Sequence, residues 1–111
     1  MNKQLNNNKK NLSNPPQKLN FWDLLDYFWD NGIGNHLNDS GDPMSWTAQS
    51  LADALDQQPS STSILSWRKR KHLPHKEQLH RMCRILFEDE ERLRKTWSST
   101  FIDMRRKEEL N

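Results

Sequence analysis

Residues 46–74, WTAQSLADALDQQPSSTSILSWRKRKHLP, constrain the chain more than any other stretch, because a proline in the middle splits an otherwise helical pattern in two. Before Pro59, Thr47 offers a capping hydroxyl, and Ala48, Leu51, Ala52 and Leu55 recur at helical spacing along one stripe. The pattern predicts a short helix with one apolar face. After Pro59, the hydroxyls of residues 60–63 can cap a second helix in which Ile64 and Trp67 fall three apart. Its opposite face carries Ser61, Thr62, Ser66, Lys69 and Arg70.

A short helix with an apolar back, a hydroxyl-rich front and a basic end suits a DNA groove, since hydroxyls bond to base edges and cations neutralise phosphates. Leu51-Ala52, then Ile64-x-x-Trp67, then a basic stretch closed by Pro74 and a helix containing Leu79, resembles the lambda-repressor and Cro (XRE) helix-turn-helix family over about residues 47–86. The expected function is sequence-specific binding of double-stranded DNA as a repressor-like transcription regulator, with helix 61–70 in the major groove. Ser61, Thr62, Leu65 and Ser66 are the expected base contacts, Leu65 against an apolar group such as a thymine methyl. Arg68, Lys69, Arg70 and Lys71 are the expected phosphate contacts, with Thr47 and Gln49 holding the backbone at the start of the first helix. A rival expectation is a protein-interaction module of helix-turn-helix shape (an anti-activator, an antitoxin-like partner or a recruiting domain) that reads no DNA. It is motivated by the glycine-free connection at residues 56–59, longer than the family's usual turn. RNA binding through a cationic face is a third.

Charge is unevenly spread although the net value is only +2. Between Pro59 and Phe87, Arg68, Lys69, Arg70, Lys71, Lys76, Arg81 and Arg84 stand against Glu77 alone, while the first helix carries Asp23, Asp26 and Asp30. That segregation predicts one cationic face for a polyanion. Only 32% of the chain is hydrophobic, so a single small core is all it can build, and five tryptophans and four phenylalanines must supply much of it. An all-α, five-helix, bundle-like domain over residues 19–111 follows, preceded by a disordered Asn/Lys-rich tail at 1–18.

In chain order, Asn20 is placed to cap a helix over residues 21–31, with Asp23 near its positive end and Leu19 and Leu24 as a hydrophobic staple. Phe21, Leu24, Leu25 and Phe28 share one face, Trp22 and Trp29 lie on its shoulder, and Asn31-Gly32 supplies the stop. Residues 33–45 read as a loop rich in turn formers. After Pro74 and His75 comes a helix with Leu79, Met82, Cys83 and Leu86 inward, then an acidic break and a last helix over 90–109. Its seam of Leu93, Trp97, Phe101 and Met104 partly closes the core, and Trp97, Phe101 and Met104 are a candidate surface for a homodimer or a partner protein.

Chemistry beyond binding has little footing. His72, His75, His80 and Cys83 are metal-ligand types, but Cys83 lies on a face the core needs, and Asp39-x-x-Asp42 lacks the alternating ligands of a calcium loop. Neither a catalytic constellation nor a phosphate-cradling glycine loop is present, so no enzyme, metal or cofactor is expected. One cysteine permits no internal disulfide, and no apolar run reaches membrane-spanning length. A cytoplasmic, nucleoid-associated protein is the expectation.

Overall fold

The computed structural model describes residues 12–34 and 36–110. Five α-helices follow one another: α1 (Phe21–Asp30), α2 (Ala48–Ala54), α3 (Ser61–Arg68), α4 (Lys76–Leu86) and α5 (Glu91–Glu109). Among the described residues no strand forms, and an isolated antiparallel bridge joins Leu37 and Pro43. The chain is therefore all-α. No helix among the described residues is long and apolar enough to cross a membrane.

Local chemistry sets the helix starts. The Asn20 side chain accepts a hydrogen bond from the Asp23 amide at 2.8 Å, and Thr47 and Ser50 form a reciprocal capping box at the head of α2. Ser60 caps α3, and the His75 amide donates to the Gln78 side chain at the head of α4. The caps at Asn20, Thr47 and Ser60 are those the sequence predicts, and the Gln78 contact is additional.

α1 packs against α5 through aromatic side chains. Phe21, Leu24, Leu25, Phe28 and Trp29 are all buried on α1, and the Phe28 ring meets Trp97, Phe101 and Phe87 edge-on at centroid distances of 5.3, 5.5 and 6.3 Å. Edge-to-face contacts at these distances are the favoured aromatic geometry. α4 packs on α5 through Leu79, Met82, Cys83 and Leu86, and α2 packs on α3.

Two sequence expectations change here. Trp97 and Phe101 are fully buried against α1, so they form no dimer or partner surface, and of the expected set only Met104 is half-exposed. The cause is the core, which takes Leu93, Trp97 and Phe101 of the α5 seam. Residues 1–11 of the expected disordered tail lie outside the described residues, but 12–18 run against α5. There the Ser13 carbonyl accepts from Trp97 Nε1 at 2.8 Å and the Asn14 side chain accepts from Arg92.

The link from α1 to α2 turns on Gly32. Its φ is +57°, and a Cβ there would sit 2.3 Å from the Met44 carbonyl oxygen. The close approach lets Trp46 reach back, its amide donating to the Trp29 carbonyl at 2.7 Å and its indole to the Ile33 carbonyl at 2.9 Å. Gly32→Ala is expected to cost at least ~1–3 kcal/mol in urea unfolding, from backbone strain together with the clash. A loss below ~0.5 kcal/mol, the range of ordinary surface substitutions, would mean that the loop is not locked there.

Candidate nucleic-acid interface

On α3 the apolar back is buried, with Ile64 at 0% and Trp67 at 3% exposure, while Leu65 between them is 45% exposed. Thr62 is exposed and Ser61 and Ser66 are half-buried beside it. All four expected base-contact residues thus stand on one outward-facing helix. The Ser66 hydroxyl also bonds to Nδ1 of His72, a partner six residues on that helical periodicity does not reveal. His72 and His75 join Thr62, Ser63, Ser66 and Trp67 in lining a shallow groove of about 440 Å³ next to α3.

The basic end is arranged differently from the expected continuous helix 61–70. α3 stops at Arg68, Lys69 is its C-cap, and Arg70 takes a left-handed backbone at φ +59°. The Arg70 amide donates to the Trp67 carbonyl and the Lys71 amide to the Ser66 carbonyl, each at 2.9 Å, so the chain curls back on the helix end. A left-handed arginine costs roughly 1–2 kcal/mol.

Its side chain has partners on α1: Arg70 Nη2 lies 3.0 Å from Asp26 and 3.2 Å from Asp23. The Asp26 hydrogen bond is the largest influence pushing the Arg70 pKa above its already high ordinary value. Arg68 also turns inward. Its guanidinium lies 5.0 Å from the Trp29 ring centroid, donates to the Trp46 carbonyl at 3.3 Å and approaches Asp30 at 3.7 Å. Both expected phosphate contacts are therefore engaged within the chain. Lys69 and Lys71 are exposed and make no ion pair among the described residues.

The single cationic face does not form. Arg81 reaches the α2–α3 connection, donating to the Leu55 carbonyl at 2.7 Å and to the Gln58 carbonyl at 2.5 Å. Arg84 instead faces α5, beside Arg94 and Lys95. The seven bases that cluster in the sequence are dispersed because helical spacing turns them to different neighbours.

The connection itself uses no glycine. Asp56 and Gln57 both have positive φ, at 58° and 57°, and the Gln57 amide donates to the Ala52 carbonyl at 2.7 Å. Asp53 accepts from the side chains of Gln57 and Gln49, at 2.6 and 2.9 Å, so Gln49 is tied to its own helix. Thr47, exposed, has its hydroxyl and amide in the capping box with Ser50.

The remaining reactive types are held structurally. The His80 ring pairs with the Ser98 hydroxyl at 2.7 Å, and Asn38 accepts from the Ser40 and Asp42 amides in the loop around Asp39. Among the described residues no three His, Cys, Asp or Glu side chains come together as metal ligands do. Comparisons with protein-family models, curated proteins and solved structures find no match.

Cys83 is fully buried, and desolvation raises its thiol pKa to about 12. At pH 8 only about one thiol in ten thousand is then ionised. Reaction with a disulfide reagent is expected to be slow in the folded protein and fast in denaturant. Equal rates in the two states would place the thiol at the surface.

Proposed function

We propose that the chain binds double-stranded DNA sequence-specifically as a repressor-like transcription regulator, with α2 and α3 as a helix-turn-helix and α3 in the major groove. The observation that carries this reading is the split of α3: Ile64 and Trp67 are buried while Leu65, Thr62, Ser61 and Ser66 are presented outward. A helix of that length, with hydroxyls and one aliphatic side chain in front, matches what a groove of base edges and thymine methyls accepts. The resemblance of residues 47–86 to the lambda-repressor and Cro family supports the same reading. Among the described residues Lys69 and Lys71 make no ion pair, and they take the phosphate role beside α3. Arg68 and Arg70 reach phosphate only by leaving Asp30, Asp23 and Asp26.

The internal pairing of Arg68 and Arg70 favours a second reading, in which the outward face of α3, with Leu65 exposed, contacts a protein and reads no DNA. Selection of bound sequences from random duplexes separates the two. An enriched motif supports the regulator, and salt-labile capture without a motif rejects it.

The ion pairs make a further distinction measurable. Lys71→Ala is expected to weaken binding to all sequences and to reduce the salt slope by about one. Asp23→Asn with Asp26→Asn releases Arg70, and the salt slope is expected to steepen by about one while affinity rises. These pairs are exposed to solvent and add little to folding, so the variant keeps its structure. An unchanged slope in both variants would remove this end of α3 from the interface. Ser61→Ala or Ser66→Ala should relax the preference at single base pairs without altering the slope, read by competition between selected and random duplexes.

A further inference from the structure

We propose that the groove between α4 and α5 binds a phosphorylated small molecule, its phosphate held by Arg84, Arg94 and Lys95. The groove has a volume of about 570 Å³ and is lined by His80, Arg84, Arg94, Lys95, Ser98 and Ser99. Three permanent cations, two hydroxyls and an imidazole converge there, and no carboxylate is among the lining groups.

Helical spacing explains the convergence. His80 and Arg84 are four apart on α4, and Arg94 with Ser98, and Lys95 with Ser99, are four apart on α5, so each pair stands on one flank of its helix. The two flanks face each other because Leu79, Met82, Cys83 and Leu86 bury the neighbouring face of α4. Cations brought together in this way repel, and an anion between them removes the repulsion. The nearest balancing group is Glu91, 3.1 Å from Lys95 and 3.9 Å from Arg94. Its side chain is 68% exposed, so the pairing is weak and a phosphate dianion displaces it readily. In the pair, Lys95 holds the Glu91 carboxyl below its ordinary pKa; once displaced, an exposed carboxylate stays ionised at neutral pH without that help.

The floor adds a donor. Ser98 is only 7% exposed, and its hydroxyl lies 2.7 Å from His80 Nδ1. When the hydroxyl donates to Nδ1, the ring proton sits on Nε2, and a phosphate in the groove selects this tautomer. The groove is open to solvent along its length, so the phosphate is gripped by the cations at its rim and not enclosed. The groove is also separate from α3: Arg81, one residue on from His80 and about 100° round the helix, reaches the α2–α3 connection instead. The proposal therefore stands independently of DNA binding.

The test is titration of the isotopically labelled full chain with inorganic pyrophosphate, following the amides of Arg84, Ser98 and Ser99 and the His80 ring by NMR. Saturable shifts confined to these residues are expected. Arg84→Gln and Arg94→Gln should each weaken binding about tenfold, equivalent to ~1.4 kcal/mol, while Lys71→Ala leaves it unchanged. Arg84 is exposed and makes no ion pair among the described residues, so its replacement tests binding rather than folding. Shifts that spread over every basic residue without saturating, or Arg84→Gln binding pyrophosphate as the parent does, overturn the proposal. If random duplex DNA, and not pyrophosphate, moves the His80 and Ser98 signals, the groove follows a nucleic-acid backbone and the small-molecule assignment is wrong. Duplex affinity measured on Arg84→Gln keeps this outcome distinct from failure of the α3 reading.

Discussion

The contact of Phe28 with Trp97, Phe101 and Phe87 is the one on which the arrangement of the other helices rests. With so few hydrophobic residues, the chain cannot build a broad aliphatic core and uses large rings instead. Joining α1 to α5 brings the first and last helices together, and α4 is then held against α5 by Leu79, Met82, Cys83 and Leu86. Arg105, near the end of α5, donates to the Pro74 carbonyl and ties that helix to the segment between α3 and α4. The α2–α3 pair joins the same core through Leu51, Ala52, Leu55, Ile64 and Trp67.

Beside the buried apolar residues of α2 and α3, contacts between this pair and the rest of the chain hold it in place. Arg81 takes the carbonyls of Leu55 and Gln58, where an isolated helix end would leave acceptors to water. Trp46 is pinned to the end of α1 by its amide and indole, and Arg68 lies over Trp29 while donating to the Trp46 carbonyl. His36 stacks on Trp46 at 4.1 Å from the other side of the loop. The orientation of α3 thus depends on cations and indoles as much as on aliphatic burial. Arginine suits such work, because a planar guanidinium can stack on a ring and bond to a carbonyl at once.

The use of arginine inside the fold also shapes the electrostatics outside it. Arg68, Arg70 and Arg81 serve structure, which leaves Lys69 and Lys71 near the outward face of α3. Arg84, Arg94 and Lys95 gather on the other side of α4, over a floor formed by Ser98. The two groups of cations differ in setting, one beside an outward helix face and the other along a groove between helices. A convex helix matches the width of a duplex groove, and a concave one matches a small ligand.

Much of the architecture was legible in the amino-acid pattern. The caps at Asn20, Thr47 and Ser60, the apolar stripes of all five helices and the break at Pro59 are local signals, set by residues within a few positions of one another. The burial of Ile64 and Trp67, with Leu65 outward, followed from the same periodicity. Partners distant in sequence were not legible. Composition placed Arg70 in a cationic cluster, yet only the docking of α1 brings Asp23 and Asp26 to it. The seam of α5 read equally well as core or as interface, and its choice was made by the aromatic face of α1. Local propensity follows from the order of residues, whereas charge pairing and burial depend on which helices meet, and that is decided only when the whole chain has packed.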